Sequence, residues 1–145
     1  MMSLPELRRL TDQDLIALFA DENNLVRLQP GEVLFKDGDP SACMYVVRSG
    51  RLTIRSGRVV YEEVGPGGVV GEMGIVEALM PRTAMVYALT AVELIEISQE
   101  RFLALVAATP SFALAVMRIL SRRLRRMDVR YETGRDEALR TIDPD

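Results

Sequence analysis

The sequence predicts a mainly β protein with α-helices at both ends, and three observations lead to this fold class. Between residues 23 and 98, short apolar runs are separated by turns rich in glycine and proline, a pattern typical of a sandwich or barrel. On both sides of this region, apolar residues recur at helical spacing instead. The chain has 145 residues, 48% of them hydrophobic and 27% charged, which is enough for one globular domain with its own core.

An N-terminal helical segment is predicted over residues 1–22, with helix over about 3–20. Thr11 is expected to be an N-cap, because Asp14 three positions later nearly completes a capping box. Leu15, Leu18 and Phe19 follow as an apolar stripe at helical spacing. Such a helix would cover one end of the β region.

The β region, residues 23–98, is predicted from alternating apolar residues and from strong turn signals such as Asp37 to Pro40 and Gly65 to Gly68. The predicted strands are Val26–Leu28, Val33–Phe35, Cys43–Val47, Leu52–Ile54, Val59–Tyr61 leading to Val64, Ala84–Ala88 and Ala91–Ile97.

Two C-terminal helices are predicted over residues 99–131. The first, over 99–108, begins after Ser98 as N-cap and should turn Phe102, Leu103 and Val106 inward. Thr109 and Pro110 separate it from a long helix that starts near residue 111. The polar residues 132–145 are expected to form a flexible tail.

The composition argues against several classes of function. The chain has no His and one Cys, so zinc sites, iron–sulfur clusters and the commonest haem ligation lack their ligands. No activated nucleophile can be assembled, and we expect no catalytic residue and no enzyme. The net charge of −3 argues against nucleic acid as a partner. Because no signal segment or membrane-length apolar run is found, we expect a cytoplasmic protein with no membrane contact.

The stretch over residues 69–84, here called the cassette, has the composition of a binding site. Gly71 and Gly74 allow close approach of the backbone, and the apolar residues after them can form a short helix whose N-terminus suits an anion. Arg82 carries a planar charged fork that matches a phosphate. Glu72 can accept hydrogen bonds from hydroxyls. An anion site beside a hydroxyl acceptor predicts a sugar phosphate as ligand.

The run Gly71-Glu72-Met73-Gly74-Ile75, followed by Pro81-Arg82-Thr83-Ala84, resembles the phosphate-binding cassette of cyclic nucleotide-binding domains. These are the sensor domains of the catabolite activator family and of cyclic-nucleotide-dependent kinases and channels. The resemblance covers roughly residues 10–131. It implies an eight-stranded β-roll, a double-stranded β-helix of jelly-roll type, over residues 23–98. It also implies a sensor that binds cAMP or cGMP and has no cofactor.

By this resemblance, Glu72 would bind the ribose 2′-hydroxyl and Arg82 the cyclic phosphate. The other cassette residues assigned to the ligand are Val70, Gly71, Met73, Gly74, Thr83 and Ala84. Candidate apolar walls for the ribose and base are Val64, Val70 and Met73. Relatives commonly have an acidic residue at the position of Gly68 and an aromatic one at Val70, and these two departures are expected to alter packing without abolishing binding.

Base recognition is less determined by the residues. Arg123 and Met127 are possible base contacts on the long helix, but Met127 and Asp128 occupy positions where relatives use hydroxyl residues. The Thr83 hydroxyl could meet either a guanine amino group or the phosphate. The resemblance to the catabolite activator family favours cAMP over cGMP.

The long helix carries a heptad-like seam that predicts a homodimer. Its residues are Ala113, Met117, Leu120, Leu124, Met127 and Tyr131, and the contact is expected from Met117 onward. Phe112, Val116 and Ile119 form a second apolar face that can pack on the β-roll. The alternative is one wide apolar stripe that lies on the core of a monomer.

Two functions from different classes follow. In the first, nucleotide binding repositions the C-terminal helix. Because we expect no DNA-binding domain in the chain, either the signal passes to an unknown protein partner or the chain is a piece of a larger protein. In the second, the domain is a ligand-free dimerisation or adaptor module. The second function predicts that Glu72 and Arg82 form an ion pair with each other.

Overall fold

The computed structural model describes residues 11–18, 24–56, 59–77 and 81–125. The strands in these ranges are β1 (Leu25–Leu28), β2 (Val33–Phe35), β3 (Cys43–Ser49), β4 (Leu52–Ser56), β5 (Val59–Val64), β6 (Val69–Val70), β7 (Met85–Ala88) and β8 (Val92–Ser98). The helices are α1 (Asp12–Leu18), α2 (Met73–Val76), α3 (Gln99–Ala108) and α4, described over Ser111–Arg125.

The eight strands form two antiparallel sheets of four, in the orders β1-β8-β3-β6 and β2-β7-β4-β5. This is the jelly-roll β-roll that the sequence predicts, with helices packed on one face.

The central strands β3 and β8 are buried on both faces, which explains their nearly continuous apolar sequences. On β3, Met44 and Val46 join a core with the helices, whereas Tyr45 and Val47 join the core between the two sheets. Because side chains alternate along a strand, one apolar run supplies both layers.

The N-terminal cap of α1 is confirmed. The backbone N–H of Thr11 donates to Asp14 Oδ2 at 2.6 Å, and the N–H of Asp14 donates to Thr11 Oγ1 at 3.2 Å. The side chains of Leu15 and Leu18, and all of Phe19, lie outside what is described.

The capping of α3 is also confirmed, since the N–H of Arg101 donates to Ser98 Oγ at 3.1 Å. The inward face of this helix differs from the prediction, however. Phe102 and Val106 pack on the core between the first sheet and the helices, here called the helix-side core. Leu103, however, is 60% exposed, and Leu105 takes the inward position. The reason is the helical period, which places residues three and four apart on one face and adjacent residues about 100° apart.

Helix α4 packs its predicted second face on the β-roll. Phe112, Val116 and Ile119 are buried in the helix-side core, and the Phe112 ring lies 5.4 Å from the Phe102 ring of α3. The dimer residues Met127 and Tyr131, the tail and the predicted domain boundaries at 22/23 and 131/132 lie outside the described residues.

Within the described residues, no single helix is long and apolar enough to cross a membrane. Only α3 and α4 taken together pass such a test, and they are bent by 120° relative to each other.

Candidate functional site

A cavity of about 200 Å³ opens between the cassette, the second sheet and α4. Its polar lining includes two carboxylates, Glu62 and Glu72, and two guanidinium groups, Arg82 and Arg123. The remaining lining residues are Phe35, Ser41, Ile54, Val70, Gly71, Met73, Pro81, Thr83, Ala84 and Val86. A mostly apolar cavity with a few convergent charged groups is the usual form of a small-molecule site.

Arg82 is 6% exposed and is fixed through both its backbone and its side chain. Its N–H donates to Asp39 O at 2.8 Å, and its carbonyl accepts from the N–H of Gly38 at 2.8 Å, so the turn before β3 anchors it. Its guanidinium donates through Nη1 to Gly71 O at 2.9 Å and through Nη2 to Cys43 O at 2.7 Å. The fork therefore ties the cassette to β3.

The charge of Arg82 has no carboxylate partner among the described residues. Its Cζ lies 4.2 Å from the centroid of the Phe35 ring, a cation–π arrangement that offsets part of the desolvation. Its Nε is buried and has no hydrogen-bond partner in the described part of the chain. A buried cation that meets only carbonyl oxygens and a ring is left with its formal charge uncompensated.

Gly71 and Gly74 are needed because Arg82 lies so close to them. A Cβ on Gly71 would lie 2.8 Å from Arg82 Nη1, and this residue also has a positive φ of 74°. A Cβ on Gly74 would lie 2.4 Å from Ser41 Oγ and 3.0 Å from Cys43 O. The glycines of the motif thus make room for the guanidinium and for the strand beneath it.

Glu72 precedes the short helix α2 and faces α4 rather than Arg82. Its Oε1 lies 3.4 Å from Nη1 of Arg123. The Glu72–Arg82 ion pair expected for a ligand-free scaffold is therefore not formed, since each residue has other partners.

Arg123 reaches from α4 into the cavity wall and is 9% exposed. Its Nε lies 2.9 Å from Glu62 Oε2, and its Nη2 donates to Val69 O. The sequence analysis did not identify Glu62, which is 6% exposed on β5. Strand alternation could have identified Glu62. Successive side chains of a strand point to opposite faces, so Glu62 lies on the same side of β5 as the apolar residue Val64.

Most of the predicted ligand residues line this cavity, namely Val70, Gly71, Glu72, Met73, Arg82, Thr83, Ala84 and Arg123. Gly74 is buried behind it, and its N–H donates to Gly71 O at 3.0 Å. Val64 is not among the residues that line the cavity, and it is buried in the core between the sheets. Met127 lies outside the described residues.

The absence of a side chain at Gly68 has a packing cause. A Cβ there would lie 2.2 Å from Cγ1 of Val64 and 3.0 Å from Gly65 O. Val64 therefore occupies the space that a side chain at this turn would need.

Next to the cavity, Tyr45 is buried against Phe35, the ring that Arg82 covers. Its ring lies 6.3 Å from the Phe35 ring, and its hydroxyl accepts from Cys43 Sγ at 3.3 Å. Burial raises the pKa of Tyr45 well above its ordinary value of 10.0.

Comparison with known proteins identifies relatives of both sequence and structure. The cyclic AMP receptor protein of Thermus thermophilus is 31% identical over 112 residues, which are 73% of this chain and 51% of that protein. A lysophospholipase of Neurospora crassa is 30% identical over 105 residues, which are 69% of this chain but 7% of the enzyme. The chain thus spans about half of the first relative and a small part of the second.

Solved structures of regulatory proteins share the fold of this chain. The c-di-GMP-responsive global regulator CLP of Xanthomonas campestris superposes with a TM-score of 0.73 at 28% identity, over 83% of this chain and 63% of that chain. The catabolite activator protein of Thermus thermophilus superposes with a TM-score of 0.69 at 25% identity, over 88% of this chain and 61% of that chain.

The family model for the cyclic nucleotide-binding domain matches residues 25–109, which include every strand and the whole cassette. This chain therefore belongs to the family of cyclic nucleotide-binding domains.

Proposed function

We propose that this domain is a non-enzymatic sensor that binds a cyclic nucleotide in the cavity beside the cassette. The observation that carries the proposal is the buried guanidinium of Arg82, which faces the cavity with no carboxylate partner among the described residues. An anion at this point would compensate the charge and could accept from the free Nε. A cyclic phosphate carries one negative charge, which matches the single positive charge of Arg82.

The neighbouring residues support a nucleotide rather than a bare anion. Thr83 is exposed at the cavity and can donate its hydroxyl to a phosphate oxygen. Glu72 lines the same cavity as Arg82, and its carboxylate can accept from a ribose 2′-hydroxyl. Val70 and Met73 provide apolar surface for the sugar and base.

Arg123 is the described residue best placed to approach the base, since it enters the cavity from α4 beyond Glu72. The ligand we favour is cAMP, with cGMP as the alternative. A named relative is a cyclic AMP receptor, and a solved structure from a cyclic-GMP-dependent signalling pathway superposes with a TM-score of 0.63 at 27% identity.

We further propose that occupancy is relayed through α4 to a protein partner, and that α4 forms a homodimer. Arg123 links this helix to Glu72, so a ligand at Glu72 acts on a side chain of α4. The dimer seam is supported by the exposure of Met117 at 62% and Leu124 at 61% on a helix whose other face is buried.

Calorimetric titration with cAMP and cGMP tests the proposal. Arg82→Lys keeps the charge but loses the bidentate fork, so the affinity should fall about tenfold or more. Thr83→Val changes only an exposed side chain and should weaken binding by a smaller factor, about 1 kcal/mol for one hydrogen bond. Arg101→Lys, on the exposed side of α3, is the matched control and should bind like the wild type. Equal affinity in all four proteins would place the ligand elsewhere.

A further inference from the structure

At the α4 side of the cavity, three charged side chains form a continuous ion-pair network, Glu62–Arg123–Glu72. Arg123 lies between two carboxylates, with its Nε 2.9 Å from Glu62 Oε2 and its Nη1 3.4 Å from Glu72 Oε1. Its remaining terminal nitrogen donates to Val69 O. The Arg123 guanidinium thereby connects α4 to β5, to β6 and to the N-terminus of α2.

The two carboxylates of this network differ in burial and in their distance from Arg123. Glu62 is 6% exposed, and its contact to Arg123 is the shorter one, at 2.9 Å. Glu72 is less enclosed, with 24% of its side chain exposed, and its contact to Arg123 is the longer one. Glu62 therefore sets the place of Arg123, and Arg123 in turn sets the place of Glu72.

We propose that Glu62 is a positioning residue for the ligand, which acts through Arg123 to orient the Glu72 carboxylate toward the ribose 2′-hydroxyl. This inference rests on the proposed function above. An ionised carboxylate has about four acceptor positions, so Glu72 can bind Arg123 and a hydroxyl together. The contact with Arg123 is made by Oε1 of Glu72, at 3.4 Å, and in this proposal the other carboxylate oxygen accepts from the hydroxyl.

Loss of the Glu62 charge has a distinctive consequence. In Glu62→Gln, Arg123 loses its nearest anionic partner, and Glu72 is then its remaining carboxylate among the described residues. The Glu72 oxygens are then drawn away from the hydroxyl position. The rest of the ligand is not affected in this way, because removing a negative charge from the cavity wall does not oppose an anionic nucleotide.

The test compares cAMP with 2′-deoxy-cAMP by calorimetry on the wild type, Glu62→Gln and Glu63→Gln. Glu63 is the exposed neighbour on the opposite face of β5, with its Oε2 3.4 Å from Arg51, and serves as the matched control. The wild type and the control should prefer the ribonucleotide by at least about tenfold, as expected for a hydrogen bond to a charged group. In Glu62→Gln, the preference should fall to within about threefold while the affinity for 2′-deoxy-cAMP is retained.

A structural role alone would weaken both ligands equally and leave their ratio unchanged, and that result would overturn the inference. Arg123→Lys provides a second variant, because a lysine keeps the charge but cannot bridge two carboxylates in the same fork geometry. It should reduce the ratio in the same way, and an unchanged ratio there would also count against the inference. If the wild type binds neither nucleotide, the proposed function itself fails, and the inference fails with it.

Discussion

At the scale of single residues, Arg82 and Arg123 occupy the same cavity wall but are stabilised in opposite ways. Arg123 lies among carboxylates, which compensate its charge. Arg82 meets two backbone carbonyls and an aromatic face, which stabilise the cation but carry no formal charge. Among the described residues, the charge of Arg123 is therefore compensated by carboxylates, whereas the charge of Arg82 is not.

The buried Tyr45 predicts a loss of stability at high pH. Its raised pKa means that the folded protein keeps the phenol proton above pH 10, where the unfolded chain loses it. Its contribution to stability is fully present below pH 10 and falls as the pH rises, by up to about 1.4 kcal/mol per pH unit.

Urea unfolding at pH values between 9 and 12 would measure this effect. Tyr45→Phe removes the ionisable group and should flatten the decline. It should also lose about 1 kcal/mol at neutral pH, because Cys43 Sγ then has no acceptor. Identical slopes for the wild type and the variant would show that the phenol is not responsible.

The cassette residues could be predicted from the sequence because their chemistry is local. A glycine pair, a carboxylate and an arginine appear within 12 positions, from Gly71 to Arg82. Their partners could not be predicted in the same way. Arg82 bonds to Cys43 O, 39 positions away, and Arg123 to Glu72, 51 positions away, and both contacts depend on how the strands and α4 pack.

At the scale of elements, α3 and α4 are joined through aromatic packing. The tilted Phe102 and Phe112 rings connect them, and Phe112 is 2% exposed in the helix-side core. Phe112→Ala should lower the free energy of unfolding by about 3–5 kcal/mol, because it leaves a cavity under both helices.

Leu103→Ala is the matched control for this prediction. Leu103 lies on the same helix pair but is 60% exposed, so its truncation should change the unfolding free energy by about 0.5 kcal/mol or less. Chemical denaturation of the two variants would measure the difference. Similar losses in both would contradict the inward face described for α3.

The strands were predictable with their approximate bounds, since turns at Gly38, Gly50 and Gly67 mark them and all three glycines have positive φ. The two-residue strand β6 was not predicted as a separate element, because Val69 and Val70 are strand only through their pairing with β3. The inward face of α3 was predicted incorrectly at Leu103 because four large apolar residues in that helix, Phe102, Leu103, Leu105 and Val106, allow more than one stripe.

At the scale of the whole molecule, the exposed seam residues Met117 and Leu124 of α4 predict a homodimer, whereas the seam residue Leu120 packs against the helix-side core. Leu124→Glu places a charge on the seam and should convert a dimer into a monomer without loss of the β-roll. Leu114→Glu is the control, since Leu114 is 46% exposed on the same helix but off the seam. Sedimentation velocity would measure both. A monomeric wild type, or a Leu124→Glu variant that remains dimeric, would contradict the proposal that α4 forms a homodimer through this seam.

The central claim is that the cavity binds a cyclic nucleotide. Thermal unfolding of the wild type with cAMP, cGMP and linear 5′-AMP tests this claim most directly. A ligand at about one hundred times its Kd should add about 2.7 kcal/mol, which is several degrees in Tm. We predict a rise with cAMP or cGMP and none with 5′-AMP. An unchanged Tm with both cyclic nucleotides would contradict the account and favour a ligand-free dimerisation module.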